Sequence, residues 1–271
     1  MSKLSPSLKS LLKSPASRPD PVSAPAGIRR VYDDLAADAG RHKLGMRPWL
    51  AISTAATVTL NSPGSLIHLH AVASARSDAT TSACLMREVG FRCISFNGIP
   101  RTINALVALR AALPSVVNDR LDEESKSQCS DFTVEKRLGR QLFESVYGPL
   151  ASRLTRKLDD AHPNLTRYIL HHHYGALLAQ ASEPFPRLLT SVVAVACLRA
   201  QTGVGPQLLS HVYGLRKADL DGSWRRDWLY EKDGDEEAAR WLMTDDGGEW
   251  LLRSIDVIVE AFGGGNFAAT S

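Results

Sequence analysis

The stretch FRCISFNGIPRTINALVALRAAL, Phe91 to Leu113, decides the fold. Apolar residues recur at helical spacing through both of its ends. Asn97-Gly98-Ile99-Pro100 interrupts them. Glycine permits a sharp change of backbone direction, and proline in a helix's first turn removes an N–H that has no partner there anyway. The stretch reads as two buried helices meeting at a rigid joint inside a helical core.

Outward from this joint, helix and breaker alternate. Toward the N-terminus, helices are expected over residues 29–39, 49–60, 66–75 and 81–95, and 102–113 follows the joint. From Ser115 to Thr133 the chain turns polar and acidic, which reads as a linker. Beyond it Leu138, Leu142, Val146, Leu150, Leu154 and Leu158 recur at every fourth position. That is the stripe of an amphipathic helix, with Pro149 expected to bend it. Further helices are expected over 165–178, 188–200, 207–217, 236–243 and 249–262. No stretch alternates at period two long enough to make a strand. The fold class is therefore all-α. The expected organisation is an arm over 1–28, a helical unit over 29–114, a polar linker over 115–134 and a second unit over 135–271. A charged surface insertion, 219–236, belongs to the second unit.

Composition excludes several function classes. Apolar residues make up 44% and charged residues 23%, and the net charge of +3 is too small to argue for nucleic acid. The longest wholly apolar run, residues 192–198, is far short of the roughly 20 residues that a membrane span needs. Cys84, Cys93, Cys129 and Cys197 include no C-x-x-C pair. Three read as small core residues and Cys129 as part of the linker, with neither a disulfide framework nor a thiolate zinc site. The arm carries Lys3, Lys9, Lys13 and Arg18 before its first acid, Asp20, and is rich in Ser and Pro. Such a segment has the character of a mitochondrial transit peptide. The alternatives are a polar arm draped over the domain and a cytoplasmic location.

The chain also carries a weak internal repeat. LAISTAATVTLNSPGSLIHLHAVASAR, from Leu50, parallels LTSVVAVACLRAQTGVGPQLLSHVYGLRK, from Leu189. Asn61 falls on Thr202, Gly64 on Gly205, His70 on His211 and Ala73 on Gly214. Each copy is an apolar helix, a Gly/Pro turn and a helix bearing a histidine. A repeat at fixed offset marks a duplicated unit, so the two are expected to pack about a pseudo-two-fold axis.

On these residues a family resemblance rests. SFNGIPRTINAL resembles the Y-x-G-x-P-x-x-x-x-A-L signature of the carboxymuconolactone decarboxylase family, with Phe96 in place of the tyrosine. LLSHVYGLRKA, Leu208 to Ala218, resembles that family's H-x-x-G-A-L segment. The family shares its all-helical fold with the alkylhydroperoxidase AhpD. The resemblance covers roughly 49–114 and 188–262. It implies that the Asn97–Pro100 joint lines a pocket beside a histidine helix.

The chemistry implied is selective. The AhpD pattern E-x11-C-x2-C-x3-H, counted back from His211, falls on Val192, Val204 and Gln207; counted back from His70, it falls on Ala51, Pro63 and Leu66. A thiol peroxidase needs an attacking and a resolving thiol. Neither stands at these positions, so C-x-x-C peroxidase chemistry is not expected. A decarboxylase-like lyase needs a general base and groups that hold an acidic substrate. The resemblance makes His211 and His70 the catalytic candidates, and Arg101, Asn97 and Phe96 the substrate-binding ones. Arg87 is a further anion anchor at the pocket mouth. No cofactor or metal is expected. The expected partner is a small acidic molecule, and self-association is consistent with the fold. Whether the chain is an enzyme stays open: the alternative is a non-catalytic binding or structural module that keeps the fold.

Each residue also has a plainer reading. Histidines on apolar helices are commonly hydrogen-bonded core residues. His68 lies two residues from His70 and points away from it on a helix. Successive residues of His171-His172-His173 fan out around a helix and do not chelate one ion. Glu88 and Arg92, spaced i,i+4, read as a surface ion pair. Asp159-Asp160 with His162 reads as a helix-end cluster. FGGGNF, Phe262 to Phe267, follows no strand and reads as a tail rather than a phosphate loop.

Overall fold

Two helices, buried along nearly their whole length, form the centre of the molecule. These are α3 (Met46–Thr59) and α12 (Arg187–Gln201). They pack against each other. A helix apolar on all sides is stable only when surrounded, and these two lie in one core cluster that runs from Ile28 to Ile258. Two buried hydroxyls of α3 turn back onto the helix: Thr57 Oγ1 donates to the Ser53 carbonyl at 2.6 Å and Thr59 Oγ1 to the Ala55 carbonyl at 2.7 Å. Tyr32 joins Thr57 at 2.6 Å. Burial without these bonds would cost about 1–3 kcal/mol per hydroxyl.

The computed structural model describes residues 4–125, 132–179, 185–225 and 236–264. Among these residues the fold is all-α, without a strand. After a short α1 (Pro6–Leu12), α2 (Ile28–Arg41) and α4 (Pro63–Ser74) pack on α3. α5 (Ala79–Arg92) also packs on α3. Asp78 caps it, accepting from the Thr81 N–H at 2.8 Å, an interaction typically worth about 1 kcal/mol. The joint follows as α6 (Ile94–Asn97) and α7 (Ile99–Ala112). Within the stretch read as a linker, Ser115–Ser125 form α8, which packs against α5 through Val117 and Leu121.

The second half starts with α9 (Phe132–Tyr147). The leucine stripe does not make one bent helix. Gly148, at φ 54°, ends α9; a 3-10 turn over Gly148–Leu150 follows, then α10 (Ala151–Ala161). The buried face of α9 is Glu135, Gly139, Phe143 and Val146, while Leu150 is exposed. The helix expected over 165–178 is a single turn, α11 (Leu165–Tyr168), followed by a ten-residue π-helix, Ile169–Leu178. α13 (Gly205–Leu220) packs on α12 and α9. The described part closes with α14 (Glu236–Leu242) and α15 (Asp245–Ala261), the latter packed on α12, α3 and α2. No helix among the described residues is long and apolar enough to cross a membrane.

The corner between α3 and α4 and the corner between α12 and α13 each contain a non-glycine residue at positive φ, Asn61 at 53° and Thr202 at 63°. The expectations on Cys129, on 226–235 of the charged insertion and on the end of FGGGNF lie outside the described residues.

Candidate functional site

The joint is built as its residues require, but it does not lie inside the core: Ile99 and Pro100 are exposed, and α7 buries only Thr102, Ala105 and Leu109 while Ile103 and Val107 face outward. Gly98 has φ 78° and ψ 169°, a conformation essentially reserved for glycine, and Pro100 stands in the first turn of α7. The Gly98 N–H closes α6 on the Ile94 carbonyl at 3.1 Å. The joint docks on the C-terminal end of α3. Asn97 Nδ2 donates to Thr59 Oγ1 at 2.9 Å, and Arg101 donates to the Thr59 carbonyl. A cation on the last carbonyl of a helix complements the helix dipole. Arg101 thus has a structural task beside any ligand. Burial lowers its pKa. Asn97 Oδ1 is buried with no hydrogen-bond partner among the described residues.

Phe96 stands between two hydrophobic clusters. One is the central core; the other comprises Phe143, Val146, Leu170, Tyr174 and Leu178. Its ring meets His211 edge-on, with centroids 6.0 Å apart. Tyr147 meets the same imidazole, also edge-on at 6.0 Å. Behind it, the Tyr174 hydroxyl donates to the Tyr147 hydroxyl at 3.2 Å. Tyr147's own hydroxyl proton is therefore directed elsewhere. Burial raises the pKa of both phenols, so both are protonated donors.

Arg187 ties these helices together. Its Nε donates to Ser145 Oγ at 2.9 Å on α9, and its Nη2 donates to the Gly214 carbonyl at 2.9 Å on α13. Nη1 reaches Ser191 Oγ on α12 itself. The guanidinium is nearly inaccessible, at 5% exposure, and its charge reaches His211. Burial and that neighbouring cation push the His211 pKa down to about 4. The imidazole is neutral at physiological pH, and its buried Nδ1 has no hydrogen-bond partner among the described residues.

The π-helix lies unusually close to α9. Gly139 and Gly175 bring α9 and the π-helix into backbone contact, and a Cβ on Gly175 would lie 2.8 Å from the Glu135 carbonyl oxygen. This proximity sets Tyr174 against Phe143, at a ring distance of 5.1 Å, and against Tyr147. π-helical segments inside helices are frequent at functional sites.

The candidates separate accordingly. His211 and Phe96 come together; Asn97 and Arg101 share Thr59. His70 lies on α4, where its Nε2 pairs with the Ala79 carbonyl at 3.0 Å and Ser74 Oγ at 3.2 Å, tying α4 to α5. His68 is exposed. Arg87 donates to the Leu121 carbonyl at 2.8 Å, joining α5 to α8. Of the histidine triplet, His172 is exposed, and His171 and His172 lie beside Phe132; the next residue, Tyr174, is buried. Among the described residues no three His, Cys, Asp or Glu side chains converge as metal ligands. Glu88 and Arg92 are not a surface pair. Arg92 is fully buried, bonds Glu88 at 2.7 Å and lies 4.2 Å over the Phe185 ring. The surface cleft lined by Arg216, Asp219 and Asp245 includes none of these site residues.

Sequence reading missed Tyr147, Tyr174 and Arg187. The available signals were the glycines at 139 and 175, each inside a helix, and an arginine opening the apolar helix α12. A neutral base flanked by a phenol donor and a buried cation is suited to taking a proton from an acidic organic molecule.

The chain is 30% identical over 156 residues to Peroxisomal protein 2 of Saccharomyces cerevisiae, the match covering 50% of this chain and 54% of that protein. The chain thus spans about half the length of the curated relative it matches. No family model and no solved structure matches it. The yeast match corrects the mitochondrial expectation, because that relative is named for the peroxisome. The arm's basic, acid-poor composition is not specific to one organelle. Its α1 is only 7 residues long and buries no residue.

Proposed function

We propose that the chain is a divergent carboxymuconolactone decarboxylase-like protein of the peroxisome that binds a small acidic compound at His211, with the neutral imidazole as proton acceptor. The observation that carries this reading is the buried, unpartnered Nδ1 of His211 beside Tyr147 and within the field of Arg187. A proton arriving on His211 makes a second buried cation next to Arg187. That is unfavourable unless an anion enters with it, which selects a carboxylate-bearing ligand. In the reaction, the ligand's acidic carbon loses a proton to the imidazole. The electron pair left behind moves onto the adjacent carbonyl oxygen, where the Tyr147 hydroxyl can donate. The peroxisomal assignment is supported by the name of the yeast relative.

The test is a thermal-shift and calorimetric screen of small mono- and dicarboxylic acids at pH 7.5. The expected result is saturable binding to the wild type that is lost in His211→Gln and weakened in Tyr147→Phe. A ligand that binds His211→Gln as tightly as wild type overturns the site. A second reading, a non-catalytic binding module, is favoured by the engagement of Arg187 with Ser145, Ser191 and Gly214. It predicts the same binding with no consumption of the ligand.

A further inference from the structure

Cys93, between α5 and α6, and Cys197, on α12, are separated by 104 positions, yet their Sγ atoms lie 3.6 Å apart. Both residues are fully buried. We propose that Cys93 and Cys197 are a peroxide-oxidisable dithiol whose disulfide staples the joint to α12. This inference stands on the thiol geometry and is independent of the proposed function.

Three observations support it. A disulfide requires the sulfurs to close to about 2.05 Å, and the two thiols already face each other at 3.6 Å. Next, Asn97 Nδ2 lies 3.7 Å from Cys197 Sγ. Its orientation is set by the network: Thr59 Oγ1 donates its hydrogen to Ala55, so it must accept from the Asn97 amide nitrogen. Burial pushes the Cys93 thiol up, and Asn97 donates to Cys197 rather than to Cys93, so Cys197 is assigned as the attacking thiol. Finally, Cys93 is already in contact. A sulfenic acid formed at Cys197 meets its resolving thiol before it meets a second peroxide.

The step balances with hydrogen peroxide as oxidant. Cys197 sulfur attacks one peroxide oxygen, the O–O bond breaks, and water leaves, giving the sulfenic acid. Cys93 sulfur attacks the Cys197 sulfur, the S–O bond breaks, and a second water leaves with the Cys93 proton. Two thiols are oxidised and one peroxide is reduced. Burial makes the first step slow, but hydrogen peroxide is uncharged and close to water in size. The consequence reaches the candidate site, because Phe96 lies three residues beyond Cys93 and against His211.

The full-length reduced protein is treated with hydrogen peroxide, digested without reductant and analysed by mass spectrometry. The expected product is a Cys93–Cys197 cross-linked peptide pair, an intact mass lower by two hydrogens, reversal by dithiothreitol and a raised Tm. Cys197→Ser and, as a second variant, Cys93→Ala each abolish the cross-link. Asn97→Ala slows its formation several-fold. Oxygen addition at Cys84 with no Cys93–Cys197 bond, or a bond joining a different pair, overturns the proposal. An unchanged rate in Asn97→Ala overturns the assignment of Cys197 as the attacking thiol.

Discussion

Gly139 on α9 and Gly175 on the π-helix are in backbone contact: a methyl placed on Gly139 would lie 2.5 Å from the Gly175 nitrogen and 2.6 Å from its Cα. No side-chain rotation relieves such a clash, because both atoms belong to the main chain. Gly139→Ala therefore has to separate the two helices. It should destabilise the protein by about 3 kcal/mol, the upper end of what overpacking costs. Chemical denaturation checks this; a loss below about 0.5 kcal/mol, the scale of a neutral surface change, would show that the contact is slack.

The Asn97–Pro100 joint yields a paired expectation. At φ 78° and ψ 169°, Gly98 occupies backbone space that a β-branched residue does not tolerate. Gly98→Val should cost about 1–3 kcal/mol. Pro100→Ala acts mainly through the unfolded chain and should cost less than about 1 kcal/mol. Melting both variants in parallel tests the order, and the reverse order is incompatible with the joint as described.

His211 should impose a pH dependence on stability. Its folded pKa is about 4 against an ordinary 6.5, so between these values the unfolded chain binds more protons than the native one. Stability is then complete above pH 6.5 and falls as the pH drops toward 4, by on the order of 3 kcal/mol in total. His211→Gln should flatten the stability profile across that window. Superimposable wild-type and variant slopes would mean that His211 takes up its proton as readily in the fold as in the unfolded chain.

Arg92 makes a different kind of test. Its side chain is fully buried, and its ion-pair partner Glu88 is largely so. Removing one member of a buried pair leaves the other charge in an apolar setting. Glu88→Gln should destabilise by about 3 kcal/mol, whereas replacing both as Glu88→Gln with Arg92→Met should recover much of that loss. Double-mutant cycles measured by urea denaturation decide it; additive losses would contradict the coupling.

The sequence by itself determined the helical class, the Gly98–Pro100 joint and the apolar character of α3 and α12. Each of these depends on residues a few positions apart, through helical periodicity, the backbone limits of glycine and proline, or an unbroken apolar run. Tertiary structure decided the rest. α8 is a helix where composition reads as linker, because Val117 and Leu121 find α5 to cover them. The buried face of α9 is set by where a glycine lets the π-helix approach, not by its leucines. Glu88 and Arg92 have surface spacing but lie inside, since a helix carries no record of which side its neighbours will cover. His211 is legible as a histidine on an apolar helix. Its neutral state comes from burial and from Arg187, which chain folding alone brings to it. Cys93 and Cys197 touch across 104 positions for the same reason. Local sequence encodes backbone preference, whereas proximity and burial, which set charge state and reactivity, are properties of the assembled core.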